Sequence, residues 1–318
     1  MTTRTLSLLT PSGRLTLGSH LGALRPMRER QGDAFYGIAD LHALTTDHDP
    51  RLLRTHADEM AALFLAVGLD GATLFRQSHV PAHAQLAYLL ECVATTGELG
   101  RMIQFKEKSR AQESTRVSLM TYPALMAADI LLYRPHAVPV GEDQKQHVEL
   151  TRDLALRFNR RYGEVFVVPE VVVGTGGSAR VMDLLHPTRK MSKSADAAGS
   201  ILLLDPPDVV RRKVARAVTD SEVGPQAVRR DREAKPGVTN LLAVLEALGA
   251  SADGLTTYGA LKGAVTDAVV AELEPVQRRY AELVRDPAHV EGVFARGAER
   301  ARAVTQPVLA AATAAIGL

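Results

Sequence analysis

The chain has no tryptophan, one cysteine, and aromatic side chains at only 4% of its 318 positions. Cys92 alone cannot form an intrachain disulfide, and a lone cysteine excludes both a cysteine zinc site and an iron–sulfur cluster. A reducing compartment fits that composition. No apolar run approaches the roughly 20 residues needed to span a membrane, and no charged segment followed by a long apolar core opens the chain. The expectation is a cytoplasmic protein with no membrane association. A net charge of +2 provides no general field for polyanions, so any nucleic-acid binding must use local patches. Hydrophobic residues, in contrast, reach 46%, enough for a sizeable core, and 318 residues exceed one ordinary core, which predicts two domains.

In the first half, strand-like and helix-like segments alternate. The segments 5–10, 33–38, 72–77, 137–140 and 165–168 read as strands bounded by Gly, Pro or Asp. The clearest helix starts at Asp49-Pro50, an N-cap acid before proline at the first helical position. Leu53, His56, Met60, Leu63, Phe64 and Val67 then recur on one face, and Gly68 closes it. Such alternation implies a doubly wound parallel sheet, whose ligands bind beyond the carboxyl ends of the strands. From Pro206 onward the composition is rich in Ala, Leu, Val and Arg with little strand signal, as in 241–248 and 260–318. The expected division is an α/β domain over 1–186 and, from Pro187, a lysine-bearing loop plus a helical domain over 187–318.

Several segments have the chemistry of phosphate handling. Lys190-Met191-Ser192-Lys193-Ser194 places two ammonium groups among hydroxyls, a set that can follow charge developing on a leaving pyrophosphate. Taken alone it also fits a solvated basic loop. Gly18 follows the first strand and precedes an apparent helix start at His20, where backbone and helix terminus can approach a nucleotide. Asp129 is the only charge in the apolar stretch 122–132, so burial there requires hydrogen-bond donors, one of which could be a ligand N–H. A short strand delivers Gly141, Asp143 and Gln144 to the expected switch point, suited to ribose hydroxyls and a polar head group. Lys106 and Lys108 could reach a triphosphate, although exposed lysines are the norm and an ordinary solvated pair fits equally well. Gly174-Thr175-Gly176-Gly177 is too short for a dinucleotide fingerprint and reads as a flexible turn.

These pieces occur in a familiar order. Pro11-Ser12-Gly13, Thr16-Leu17-Gly18-Ser19, Ala39-Asp40-Leu41-His42-Ala43, Pro81-Ala82-His83 and Gln104 to Lys108 are followed by Met126 to Asp129 and Gly141 to Gln144. Lys190 to Ser194, Ala217 to Glu222 and Lys235-Pro236-Gly237 complete the series. Over nearly its whole length the chain resembles the bacterial tryptophanyl-tRNA synthetases, a class I aminoacyl-tRNA synthetase family. The resemblance implies a Rossmann-like catalytic domain, an α-helical anticodon-binding domain whose last helix packs back on the first, and a homodimer. It also implies L-tryptophan, ATP with Mg²⁺ and tRNA(Trp) as substrates. By position it assigns Thr10, Gly18, Ser19, Gly141, Asp143, Val181 and Met191 to ATP. Leu6, Leu8, His42, Tyr122, Met126, Asp129, Val138, Val140 and Gln144 fall to tryptophan, with Tyr122 and Gln144 on the ammonium and Asp129 on the indole N–H. Lys106, Lys108, Lys190, Ser192, Lys193 and Ser194 form the pyrophosphate grip, and no protein metal ligands are assigned.

The chain departs from that family at several positions. The class signature usually has histidine at its first and last positions; this family relaxes that, with Asn common at the last, and here Thr16 and Ser19 stand there, with His20 one place too late. Leu8 and Thr10 occupy positions where glycine and glutamine are expected beside the ligands. With the missing tryptophan, this leaves open an auxiliary enzyme that resists a tryptophan-like inhibitor. A tyrosyl-tRNA synthetase, a smaller nucleotidyltransferase of the same fold and a non-catalytic RNA- or protein-binding paralogue remain the alternatives.

Overall fold

β1 (Thr5–Leu9) lies parallel to β2 (Ala34–Ile38), which lies parallel to β3 (Thr73–Arg76), and β4 (Ala137–Val140) pairs in parallel with β5 (Glu170–Val173). The computed structural model describes residues 4–110, 115–140, 144–173, 181–191 and 198–318. Gly141, Asp143, Ser192, Lys193, Ser194 and the glycine-rich 174–177 therefore lie outside the described residues. Helices supply the crossovers that parallel strands require. They are α1 (Leu17–Ser19), α2 (Arg25–Glu29), α3 (Asp40–Ala43) and α4 (Pro50–Ala66), then α5 (Ala82–Glu91), α6 (Thr96–Gly100), α7 (Ile103–Arg110), α8 (Val117–Leu131) and α9 (Lys145–Tyr162). After β5 the elements among the described residues are helices: α10 (Pro207–Ala215), α11 (Pro236–Ala247), α12 (Tyr258–Leu283) and α13 (Pro287–Ile316).

β2 is buried at every position, and its alternate side chains enter different cores. Tyr36 and Ile38 join α4, α11 and α12 on one side, while Phe35 joins α5, α8 and α9 on the other. This is the pattern of a parallel strand covered on both faces. α4 has the expected cap: Asp49 Oδ1 accepts from the amides of Arg51 at 2.7 Å and Leu52 at 3.4 Å, and Gly68 follows at φ 85°. α13 ends in the second core and lies against β3, so closely that a methyl on Gly297 would lie 1.7 Å from the carbonyl oxygen of Leu74.

Two expectations are corrected. The fifth strand is at Glu170–Val173 rather than at 165–168. Asn159 occupies the backbone of the earlier segment, accepting from the amides of Val165 at 3.1 Å and Phe166 at 2.9 Å and donating to the Phe166 carbonyl at 2.8 Å. Those groups are then closed to a ladder, and Phe166 packs its ring against Phe158 at 4.8 Å. The second correction is the first helix, which starts at Leu17 instead of His20. Thr16 Oγ1 accepts from the Ser19 amide at 3.2 Å and Ser19 Oγ accepts from the Thr16 amide at 3.4 Å, a reciprocal capping box. The helix continues through a π-helical turn at His20–Leu24, just before Pro26, whose ring offers no amide to the preceding turn.

Candidate active site

The carboxyl ends of the strands carry the polar residues. Thr10 follows β1, His42 lies on α3 just beyond β2, Gln77 follows β3, and Gln144 caps α9 beyond β4. Asp129 reaches this edge from the last turns of α8 and is buried, as its apolar surroundings predicted. Its donors are side chains of this protein: Gln77 Nε2 and His83 Nδ1 reach Oδ1 at 2.7 Å each, and His42 Nε2 reaches Oδ2 at 2.8 Å. Burial alone would raise the Asp129 pKa, but the hydrogen bonds donated by His42 and His83 outweigh it and hold the carboxyl at about 2. Asp129 is thus an anion at physiological pH. Four lone-pair positions exist on a carboxylate, three are used, and the one left lies on Oδ2.

Tyr122, two helical turns before Asp129, places its ring 6.3 Å from that of His42, edge to face. Its hydroxyl meets His147 Nε2 at 2.6 Å and donates to Gln104 Oε1 at 3.2 Å, which brings α7, α8 and α9 to one point. Burial pushes this hydroxyl up to about 12, so it stays protonated. Of the other residues assigned to a substrate, Met126 and Val138 are half-buried on α8 and β4, and Val140 ends β4. Leu6 and Leu8 pack into the second core from β1. Leu8 sits opposite Gly37, where a methyl would lie 2.9 Å from both Leu8 Cγ and Phe75 Cζ. The missing side chain at 37 is the space that Leu8 fills.

The two signature segments also meet. Val181 and Met191 are buried beside Gly18, where a methyl would lie 3.6 Å from Val181 Cβ and 3.5 Å from Met191 Cβ. Met191 is held there by a bond from its amide to the Val181 carbonyl at 3.1 Å, in a turn that leaves Lys190 exposed. The chain after the lysine motif returns as well: the amide of Leu17 donates to Ile201 at 2.8 Å and that of Leu203 to Leu15 at 3.0 Å. Ser19, by contrast, uses its hydroxyl in the capping box with Thr16. Lys106 is exposed on α7, and Lys108 shares that helix. The helix starts against α9, where the Ile103 amide donates to Gln146 Oε1 at 3.0 Å.

Gln77, His83, Gln104 and His147 received no role from the sequence. Only the recurrence of Pro81-Ala82-His83 and of Gln104-Phe105 as motifs pointed to two of them. A cavity of about 320 Å³ does not belong to this site. It opens at the opposite, amino end of β3, between Thr73, Arg279, Arg296 and Arg300.

Residues 2–276 match the family described as class I tRNA synthetases (W and Y). Tryptophan–tRNA ligase 1 of Streptomyces coelicolor is 51% identical over 331 residues, covering 99% of this chain and 97% of its own. Tryptophan–tRNA ligase of Bacillus subtilis is 47% identical, covering 97% and 96% respectively. Among solved structures, tryptophanyl-tRNA synthetase of Mycoplasma pneumoniae superposes with a TM-score of 0.88 at 37% identity, covering 100% of this chain and 98% of its own. The Campylobacter jejuni enzyme complexed with ADP and tryptophan superposes with a TM-score of 0.84 at 31% identity, covering 99% and 100%.

Proposed function

The chain belongs to the class I tRNA synthetases of the W and Y family, and from that premise we propose that it is a tryptophan–tRNA ligase. It activates L-tryptophan with ATP to tryptophanyl-adenylate and transfers the acyl group to tRNA(Trp). The observation that favours tryptophan within the family is Asp129, an anionic acceptor with one open lone pair at the carboxyl edge of the sheet. That position suits an indole N–H.

In the first step a carboxylate oxygen of tryptophan attacks the α-phosphorus of ATP, the bond to the β-phosphate oxygen breaks, and pyrophosphate leaves. The nucleophile is already ionised, so no general base is needed. Rate enhancement comes from positioning and from charge placed where the pyrophosphate develops. Lys106, Lys108, Lys190 and Lys193, with Ser192 and Ser194, form that grip in our reading, and Mg²⁺ carried on the ATP phosphates would add positive charge at the same place. Gly18, Ser19, Val181 and Met191, with Thr10, Gly141 and Asp143, take the adenosine. The contact of Gly18 with Val181 and Met191 supports that placement. Tyr122 and Gln144 bind the ammonium group, and Leu6, Leu8, His42, Met126, Val138 and Val140 wall the indole. In the second step the terminal 2′-hydroxyl of the tRNA attacks the acyl carbon and AMP leaves.

Residues 187–318 contribute the anticodon-binding part and the working species is a homodimer, as the family relationship implies. Light scattering should then give about twice the chain mass, and an active monomer would refute this. The decisive assay is ATP–pyrophosphate exchange with the purified protein. Exchange that depends on tryptophan and not on tyrosine is the expected result, and its absence overturns the proposal.

A further inference from the structure

Behind Asp129 stands a second layer of polar groups to which the reaction gives no part. His83 is fully buried. Its Nδ1 bonds Asp129 Oδ1 at 2.7 Å and its Nε2 meets the hydroxyl of Tyr133 at 3.1 Å. An ionised carboxylate only accepts, so Nδ1 must carry a proton. Among the described residues the hydroxyl of Tyr133 has no acceptor other than His83 Nε2. If Nε2 also carried a proton, the hydroxyl hydrogen would be stranded in a side chain with no solvent exposure. Both bonds are satisfied together in one arrangement only: neutral imidazole, Nδ1–H toward Asp129, and Tyr133 donating to Nε2.

We propose that Tyr133 is a positioning residue for substrate recognition, whose hydroxyl locks His83 as the neutral Nδ1–H tautomer and so leaves Asp129 a full anion open to one further donor. The inference rests on the tryptophan-ligase reading for the identity of that donor. Burial raises the Tyr133 hydroxyl far above its ordinary range, so it remains a donor at any pH the enzyme meets. The groups around His83 come from four directions. Asp129 and Tyr133 face it from α8 and its carboxyl end, the ring of Phe75 stacks on it at 5.8 Å, and Gln77 shares Oδ1 with it. His42 binds the other oxygen of Asp129 from α3, and Arg4 donates to the Tyr133 carbonyl at 3.2 Å. Without the hydroxyl, burial alone opposes the pull of Asp129 toward a second proton on His83. His83 then takes a second proton beside Asp129, and the resulting ion pair draws the carboxylate away from the indole.

Tyr133→Phe tests this with little disturbance, because the packing of the ring against Phe35 at 5.0 Å and Phe75 at 5.7 Å uses no hydroxyl. The full-length protein is labelled with ¹⁵N-histidine and examined by long-range ¹H–¹⁵N correlation, with His83→Gln assigning the signal. In the parent, His83 should show the neutral Nδ1–H pattern unchanged from roughly pH 6 to 8. In Tyr133→Phe a population with Nε2 protonated should appear. KM for tryptophan should rise about tenfold with kcat changed far less, as expected when a buried partner is orphaned. An analogue with sulfur in place of the indole nitrogen should show a smaller rise. A doubly protonated His83 in the parent, or an unchanged spectrum in the variant, overturns the proposal. Absence of tryptophan-dependent exchange in the parent would instead defeat the ligase reading, and the spectra would still decide the tautomer.

Discussion

Asp129 is a single buried carboxylate held by three donors, and in the proposed function it is the residue that reads the indole N–H. A buried acceptor designed for an N–H rejects ligands lacking it by up to roughly 10⁴-fold, because it is then left unpaired. Asp129→Ala should therefore impair activation of tryptophan far more than activation of the sulfur analogue, measured as kcat/KM for each. Equal losses would remove Asp129 from indole recognition. Leu8 and Gly37 present a related case, since the side chain on β1 fills the space left on β2. If Leu8 and Thr10 exclude a bulky indole-based inhibitor, Leu8→Gly with Thr10→Gln should lower its inhibition constant by roughly 10-fold or more and shift tryptophan KM much less. Equal sensitivity of parent and double variant would end the auxiliary-enzyme reading.

At the scale of elements, α6 is only five residues long and is held from outside. Thr95 and Glu98 form its capping box, and Arg157 of α9 donates to Glu98 Oε2 at 2.9 Å and to its other oxygen. The hydrogen bond from Arg157 is the main cause that lowers the Glu98 carboxyl from 4.5 to about 2. A carboxyl depressed in the folded state stabilises above its unfolded pKa, and that stability is lost as pH falls through the folded value. The contribution of Glu98 is accordingly complete above about pH 4.5 and disappears toward pH 2. Partial exposure of both groups screens it to on the order of 1 kcal/mol. Glu98→Gln should reduce stability at pH 7 by that amount and flatten the decline between those pH values in urea titrations. A variant with the slope of the parent would show that the pair contributes nothing.

At the scale of the whole molecule, the helical half is bound to the sheet by close backbone contact and by polar ties. Gly297 of α13 meets the carbonyl of Leu74 in β3, and His20 Nε2 in the signature helix meets Glu272 Oε1 of α12 at 2.7 Å. Within the helical half itself, Lys235, almost fully buried, ties Asp220, Glu222 and Tyr258 together, each at 2.9 Å. A methyl at 297 would fall inside the contact distance of a carbonyl that cannot rotate away. Gly297→Ala should cost about 3 kcal/mol or more and lower Tm by roughly 5 °C or more. Gly292→Ala, one turn and a half earlier with only an arginine tip nearby at 3.3 Å, should leave Tm close to that of the parent. Equal melting temperatures for the two variants would mean that α13 is not anchored at this point.

The sequence by itself determined what local chemistry can specify. The Asp49-Pro50 helix start, four of the five described strands to within a residue at each end, the burial of Asp129 and the order of the motifs were all legible, because caps, periodicity and lone charges act over a few residues. Where a distant or unexpected partner competes, local reading fails. The segment 165–168 has strand-like composition, yet Asn159 claims its backbone, and Thr16 and Ser19 satisfy one another to start a helix before His20. Only the tertiary structure decided which side chains converge: Gln77 and His83 on Asp129, His147 and Gln104 on Tyr122, Leu8 over Gly37, and Met191 beside Gly18. Those pairs lie between 18 and 173 positions apart in the chain. Their meeting is fixed by parallel crossovers and core packing, which no short window of sequence contains.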